Sequence, residues 1–425
     1  MKRLWKTVPP CLADTLGFQA VMSNTEGLGL IDDCSKYKPL DKMPKRAGEK
    51  PGWEQDDHRG GRGFGGGYAS KHSFASGGRH HGDGGCGGRG GKFSDVRVVE
   101  SDIKEEDVIH GTEEKMLQAF AGNVDLYNPS FVIVSTAPVS SMIGTDLDAI
   151  AQQITEKYGI PAASVYLDGQ RDYLYGISLT LEAIGKLVIK KPAAVLPDSV
   201  NILGYNSIDW SGDAVEDLEN WLSETGYSIV SRWGVREKTV NLERAASASV
   251  NLVLNIAGLR LAKWMESQFN IPYVTAAPFG EKQCSRILDS LKNKQALEMP
   301  KSSGEPEALV ICEQLQAEAI RSWLLQSGYK SVRVCSLFEM DKCLMQEGDR
   351  KIIGEDDLAE QVNFPGLKLV LADPDYQFLS KRDVPWIPLP NNANQAPSQR
   401  IENVSLVGSK LDAWLQNTFR KAGIS

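Results

Sequence analysis

Residues 131–189 read FVIVSTAPVSSMIGTDLDAIAQQITEKYGIPAASVYLDGQRDYLYGISLTLEAIGKLVI. The opening run, Phe131–Gly144, is strand-like and leads into a loop. In DLDAIAQQITEKYG, Leu147, Ile150 and Ile154 recur at helical spacing. AASVYLDG is a second strand and LYGISLTLEAIGKLVI a second helix. Strand, loop, helix and strand in this rhythm predict a parallel sheet covered on both faces.

The pattern repeats on either side. Upstream, Gly27–Ile31 is a short strand ending at Asp32 and Asp33, and VRVVES near Arg97 is another; EEDVIHGTEEKMLQAFAG then turns at Gly111 into a helix. Downstream, VNILGYN, SIVSRWG, SVNLVLN and IPYVTAAPFG are strands separated by helices, and the polar stretch 293–305 marks a boundary. EALVIC, SVRVCSLF, LKLVLADPD and VPWIPLP follow, with a closing amphipathic helix in VGSKLDAWLQNTFRKAG. The expectation is an α/β protein of three Rossmann-like domains with parallel sheets. Their bounds are 1–195, 196–302 and 303–425. In such sheets ligands meet the loops that follow the strands, here 135–144, 168–173, 204–212, 254–258, 276–284, 312–314 and 372–376.

One stretch breaks the pattern. Asp56–Phe93, an insert in the first domain, carries fifteen glycines between Gly60 and Gly91 and four of the five histidines: His58, His72, His80 and His81. Glycine at this density supports neither helix nor packed strand. It suits a loop whose backbone amides reach a ligand, or a plain polar insert.

A net charge of -8 argues against nonspecific nucleic-acid binding. No run reaches the roughly 20 apolar residues needed to span a bilayer, and the start lacks a signal-peptide core. The expectation is a cytoplasmic protein that binds neither nucleic acid nor membrane. The seven cysteines form no CxxC pair and do not suggest a disulfide scaffold. None of the strand-end loops is GxGxxG, and GxxxxGK[ST], GxSxG and HExxH are absent, so a nucleotide bound by the usual loops is not expected.

Taken in order, the segments resemble the nitrogenase component 1 superfamily along nearly the whole chain. EEDVIHGTEEKMLQAF is similar to the family's DIVFGGExKLxxAI. STAPVSSMIGTDLDAIAQQITEKYGIPAASVYLDGQRD is similar to CPxxxIGDDIEAV…GIPVxxVxCxGFR, and NILGYN, NLVLN and FNIPYVTAAPFG to NIIGxYN, NLVxC and YGIPYxxxxFFG. The resemblance implies an iron–sulfur cluster shared between paired subunits. Its ligands would be Cys11, after the Pro-rich opening, and Cys86 in HGDGGC, with Cys34 in GLIDDC competing for that second place. The third family cysteine is Ala137 here, and the cofactor-holding cysteine of NLVxC is Asn255. His80, His81 and Asp83 are substitute metal ligands. Arg171 and Asn255 occupy cofactor-facing positions, Arg171 able to neutralise an anion.

The implied function is that of a nitrogenase-like oxidoreductase subunit. It would pass electrons through the shared cluster, reduced by a separate ATP-dependent iron–sulfur protein and paired with a paralogous chain or itself. Ala137 and Asn255 favour an alternative, a non-catalytic scaffold for metallocluster or cofactor assembly. A metal-free small-molecule binding protein is the third reading.

Overall fold

The computed structural model describes residues 8, 11–33, 97–235, 237–389, 393 and 404–424. Cys34, His80, His81, Asp83, Cys86 and the glycine-rich insert lie outside these.

Three wholly parallel sheets organise the described chain. The first contains β1 (Leu28–Asp32), β2 (Val98–Glu100), β3 (Val132–Thr136) and β4 (Ala162–Val165), in the order β2-β1-β3-β4. The second contains β5 (Ser199–Leu203), β6 (Ser228–Arg232), β7 (Val250–Val253) and β8 (Tyr273–Thr275), in the order β6-β5-β7-β8. The third contains β9 (Ala308–Ile311), β10 (Val332–Ser336), β11 (Arg350–Lys351), β12 (Leu369–Ala372) and β13 (Trp386–Pro388), in the order β11-β10-β9-β12-β13. Each order reverses once, between β1 and β3, between β5 and β7, and between β9 and β12. Ligands of open α/β sheets gather beyond the strand ends at such reversals.

Burial explains why these segments are strands. Every residue of β1, β3, β5, β7, β9 and β12 is buried, as expected of strands covered on both faces. In sheet 1 the alternation is explicit. Leu28, Leu30, Val132 and Val134 join Met116, Phe120 and Ile150 on one side, while Ile31 and Ile133 face Phe18 and Tyr173 on the other. That second core continues without a break through sheets 2 and 3.

The helix Tyr173–Val188 stands at the centre of this continuous core, with nine of its sixteen residues buried. It packs on the helix Asp14–Met22 at a separation that only glycine permits. A Cβ on Gly176 would lie 1.9 Å from the Asp14 carbonyl oxygen, and one on Gly17 would lie 2.0 Å from that of Tyr173. The C-terminal helix Lys410–Lys421 packs back on the body. Phe419 meets Trp323 edge-on at 5.5 Å, and Trp323 Nε1 donates to Asp412 Oδ1 at 3.0 Å.

Some elements differ from expectation. The segment after β3 is a six-residue helix, Pro138–Ile143, rather than a loop. Pro138 suits a first helical position, and Ser140 Oγ accepts the Ala137 amide at 2.9 Å to start the turn. β11 and the helix Glu355–Val362 carry too short an apolar pattern to register as strand and helix in the sequence.

Candidate functional site

Two places at the strand ends gather polar chemistry. The first is an open cleft of about 540 Å³ at the carboxyl edge of sheet 1, its walls including Thr136, Ser140, Thr145, Asp146, Asp168 and Arg171. Its floor is built on Asp32, the last residue of β1 and fully buried. Ser101 Oγ donates to Asp32 Oδ1 at 2.6 Å; Thr112 Oγ1 and Thr145 Oγ1 donate to Oδ2 at 2.5 and 3.1 Å. Ser140 Oγ donates to the Asp32 carbonyl at 2.7 Å. Three segments are thereby fixed on the carboxylate and a fourth on the backbone of the same residue. Each hydroxyl satisfies a group that burial would otherwise leave costly. Beside this edge Met142 is 88% exposed, Ile109 80% and Tyr166 50%, an unusual apolar display near a polar cleft.

The second place is the seam where the three sheets meet, and the residues Arg171, Asp172 and Tyr173 link it to the cleft. Arg171 lies over the Tyr175 ring at 4.6 Å and donates to Glu339 Oε1 at 3.0 Å, tying sheet 1 to sheet 3. Lys351 Nζ also reaches Glu339 Oε1 at 3.0 Å. Burial pushes Glu339 upward, but Lys351 and Arg171 together hold it below the ordinary glutamate range. Asp172 caps the central helix by accepting the Leu174 and Tyr175 amides. Burial raises it to about 6 against the opposing pull of Lys351.

Tyr173 starts the buried network. Its hydroxyl donates to Asp209 Oδ1 at 2.6 Å. Asp209 Oδ2 accepts from Asn206 Nδ2 at 2.8 Å and from Asn255 Nδ2 at 2.6 Å. Burial raises Asp209 to about 6 in spite of these three donors. Glu313, from the β9 end, accepts the Ile256 amide at 3.0 Å and so grips sheet 2 from sheet 3. Burial, with Asp209 adding to it, raises Glu313 to about 8, although its backbone donors favour the anion. Buried acids met by donors and packed among aromatic rings suit a tightly packed joint.

The sequence-derived candidates separate here. Asn255 is fully buried and already committed. Its Oδ1 accepts the Ala257 amide at 2.9 Å, and its Nδ2 is bound to Asp209. Cys11 does not line the cleft. It sits at the seam, where burial first, then Asp172 and Asp373, push its thiol up to about 12. Neighbouring backbone explains its position: Tyr173 N donates to the Leu12 carbonyl at 2.9 Å, Asp14 N to that of Arg171 at 3.0 Å, and Leu12 N to that of Ala393 at 2.7 Å. Arg171 reaches the cleft, but with a carboxylate partner in place. Asp209, Tyr173 and Glu313 went unnoticed in the sequence, where no motif joins three loops so far apart.

The residues present do not fit a large metallocofactor at the seam. Asn255 is fully buried with both its nitrogen and its oxygen bonded within the protein, and Tyr173 is packed edge-on against Phe338 at 5.2 Å. Among the described residues, no group of three or more His, Cys, Asp or Glu is arranged to hold a metal ion. The cleft wall supplies hydroxyls, carboxylates and a guanidinium, and Ala137, at the position where the resemblance implies a thiol, is buried. Among the described residues no helix is long and apolar enough to cross a membrane.

A family model for nitrogenase component 1 type oxidoreductases matches residues 79–318, more than half of the chain. The chain belongs to that family. It is similar to the nitrogenase iron-molybdenum cofactor biosynthesis protein NifE of Methanosarcina barkeri, 28% identical over 230 residues, covering 49% of each chain. It also resembles the nitrogenase molybdenum-iron protein alpha chain of Methanosarcina barkeri, 24% identical over 45% of this chain and 36% of that one. The chain thus spans about half the length of the curated relatives it matches. A solved structure, nitrogenase Cp1 at pH 6.5, superposes with a TM-score of 0.68 at 12% identity, covering 99% of this chain and 94% of that one. The fold is therefore the nitrogenase component 1 arrangement of three parallel α/β sheets.

Proposed function

We propose that this chain is a scaffold-type subunit of a nitrogenase component 1-like assembly, rather than the half that carries a catalytic cofactor. The observation that carries this reading is Asn255, which replaces a thiol and is spent on capping a turn and bonding Asp209. A thiolate binds iron far better than an amide, and this amide is already satisfied. Several relatives are cofactor biosynthesis proteins, which supports the same assignment.

The partner in this reading is a paralogous chain, seated on the carboxyl edge of sheet 1 where Met142, Ile109 and Tyr166 are exposed. Any cluster shared there would draw this chain's ligands from Cys34 and Cys86, with His80, His81 and Asp83 as substitutes. Cys11 would have to lose a strongly held proton before it could join them. An oxidoreductase subunit, reduced by a separate ATP-dependent iron–sulfur protein, shares this edge but needs a reactive centre of its own or its partner's.

Two measurements test the proposal. Purified without air from its own host, the tagged chain is expected to bring a second chain with it, and Met142→Asp to lose that chain without losing helical circular dichroism. A wild-type chain that stays single in light scattering overturns the pairing. Iron analysis separates the ligands: Cys34→Ala and Cys86→Ala should lose more iron than Cys335→Ala and Cys343→Ala. Equal iron in all four removes the N-terminal site. Turnover of a reducible substrate by the isolated chain with the reductase would remove the scaffold reading.

A further inference from the structure

Among the described residues, the seam between sheets 2 and 3 holds a small, partly open cavity of about 30 Å³. Its lining includes Asp209 and Trp210 from the loop after β5, Cys312 from the end of β9, Gln316 from the following helix, and apolar Phe279 and Leu389. Most polar atoms in this region are paired. Two are not: Trp210 Nε1 and Gln316 Nε2, both buried and both without a hydrogen-bond partner. Both belong to residues that line this one cavity. Trp210 is only 3% exposed, and its ring is wedged between Tyr205 at 5.4 Å and Phe279 at 5.2 Å. The indole cannot readily turn its N–H out to solvent.

We propose that this cavity is a binding site for an internal water that joins the second and third sheets. The water accepts from Trp210 Nε1 and Gln316 Nε2 and donates to the Asp209 carboxyl. The volume suffices, since a water needs about 10–15 Å³ of such space. The chemistry also suffices, because a buried water ordinarily makes about three hydrogen bonds. Asp209 Oδ1 accepts from Tyr173 and retains a lone pair for a further donor. A dry cavity would leave two N–H donors unpaired beside a carboxyl, a costly arrangement that a bridging water relieves. An anion is disfavoured by Asp209, and a larger ligand by the volume. The cavity shares Asp209 with the Asn255 network, but none of its lining residues lines the cleft where a partner would sit.

The test is a crystal structure of the full chain at a resolution that reveals ordered water, paired with nuclear magnetic resonance of the tryptophan indoles. The expected result is one peak within hydrogen-bonding distance of both nitrogens, and magnetisation transfer from water to the Trp210 indole proton. That resonance is identified by its loss in Trp210→Phe. Gln316→Met should remove or displace the peak. An empty cavity in the wild type overturns the proposal, as does density continuous with a protein side chain. Should either variant fail to fold, the wild-type density alone decides.

Discussion

Asn255 shows how one substitution changes what a fold can do. In the NLVLN motif it stands where the family resemblance implies a ligand thiol, yet its amide is used at both ends, by the Ala257 amide and by Asp209. Restoring the thiol with Asn255→Cys should therefore not create a cofactor site. It removes a cap and leaves Asp209 one donor short, for an expected loss of about 1–3 kcal/mol. Urea unfolding reads that loss, and iron analysis should find the metal content unchanged; a gain in iron would mean the seam can open around a cluster after all. Asp209→Ala strikes the same network harder, stranding Tyr173 Oη, Asn206 Nδ2 and Asn255 Nδ2 together. The expected loss is about 2–4 kcal/mol, and a midpoint within error of wild type would mean that these donors find other partners.

Between helices the decisive contact is between backbones. Gly17 and Gly176 let the helices Asp14–Met22 and Tyr173–Val188 touch carbonyl to Cα, which holds Arg171, Asp172 and Tyr173 at the junction of the sheets. Gly176→Ala should cost at least about 2 kcal/mol by overpacking, whereas Gly212→Ala, at a helix start with open space around it, should be neutral or slightly stabilising. Thermal melts of the pair check this, and equal melting temperatures would contradict the close approach. The same elements mark what the sequence reveals. Apart from β11, the strands of the three sheets lie within apolar runs that announce them, and the loops after them, 168–173, 204–212, 254–258 and 312–314, are where the network assembles. Cys11 was harder to read. Its segment docks through isolated backbone bonds to Tyr173, Arg171 and Ala393, which leave no periodicity, so nothing in the sequence places this half-buried thiol near Asp172 and Asp373. The Pro138–Ile143 helix is similarly invisible, being too short to build an apolar face.

At the scale of the molecule, buried acids set the response to pH. Asp172 is raised to about 6, Asp209 to about 6, Glu313 to about 8 and Glu318 to about 7, each chiefly by burial. Their ordinary values are 3.8 for aspartate and 4.5 for glutamate. Between those values and the raised ones the folded chain binds more protons than the unfolded chain, so stability falls as pH rises. Glu339 and Asp341, held below their ordinary values, act in the opposite sense, but only in more acidic solution where they protonate. The fully exposed carboxyls contribute little because solvent screens them. Three of the four raised acids lie where the sheets meet, and the fourth, Glu318, shares Arg321 with Asp349 inside sheet 3's layer, where two carboxylates face one guanidinium. Rising pH therefore loads negative charge into a continuous core, loosening the joints before the separate sheets. Melting at constant ionic strength should be higher at about pH 6 than at about pH 8.5, and Glu318→Gln should flatten the slope between them. A melting temperature that climbs over that interval would mean these acids are already ionised in the folded protein, with the donors around them outweighing their burial.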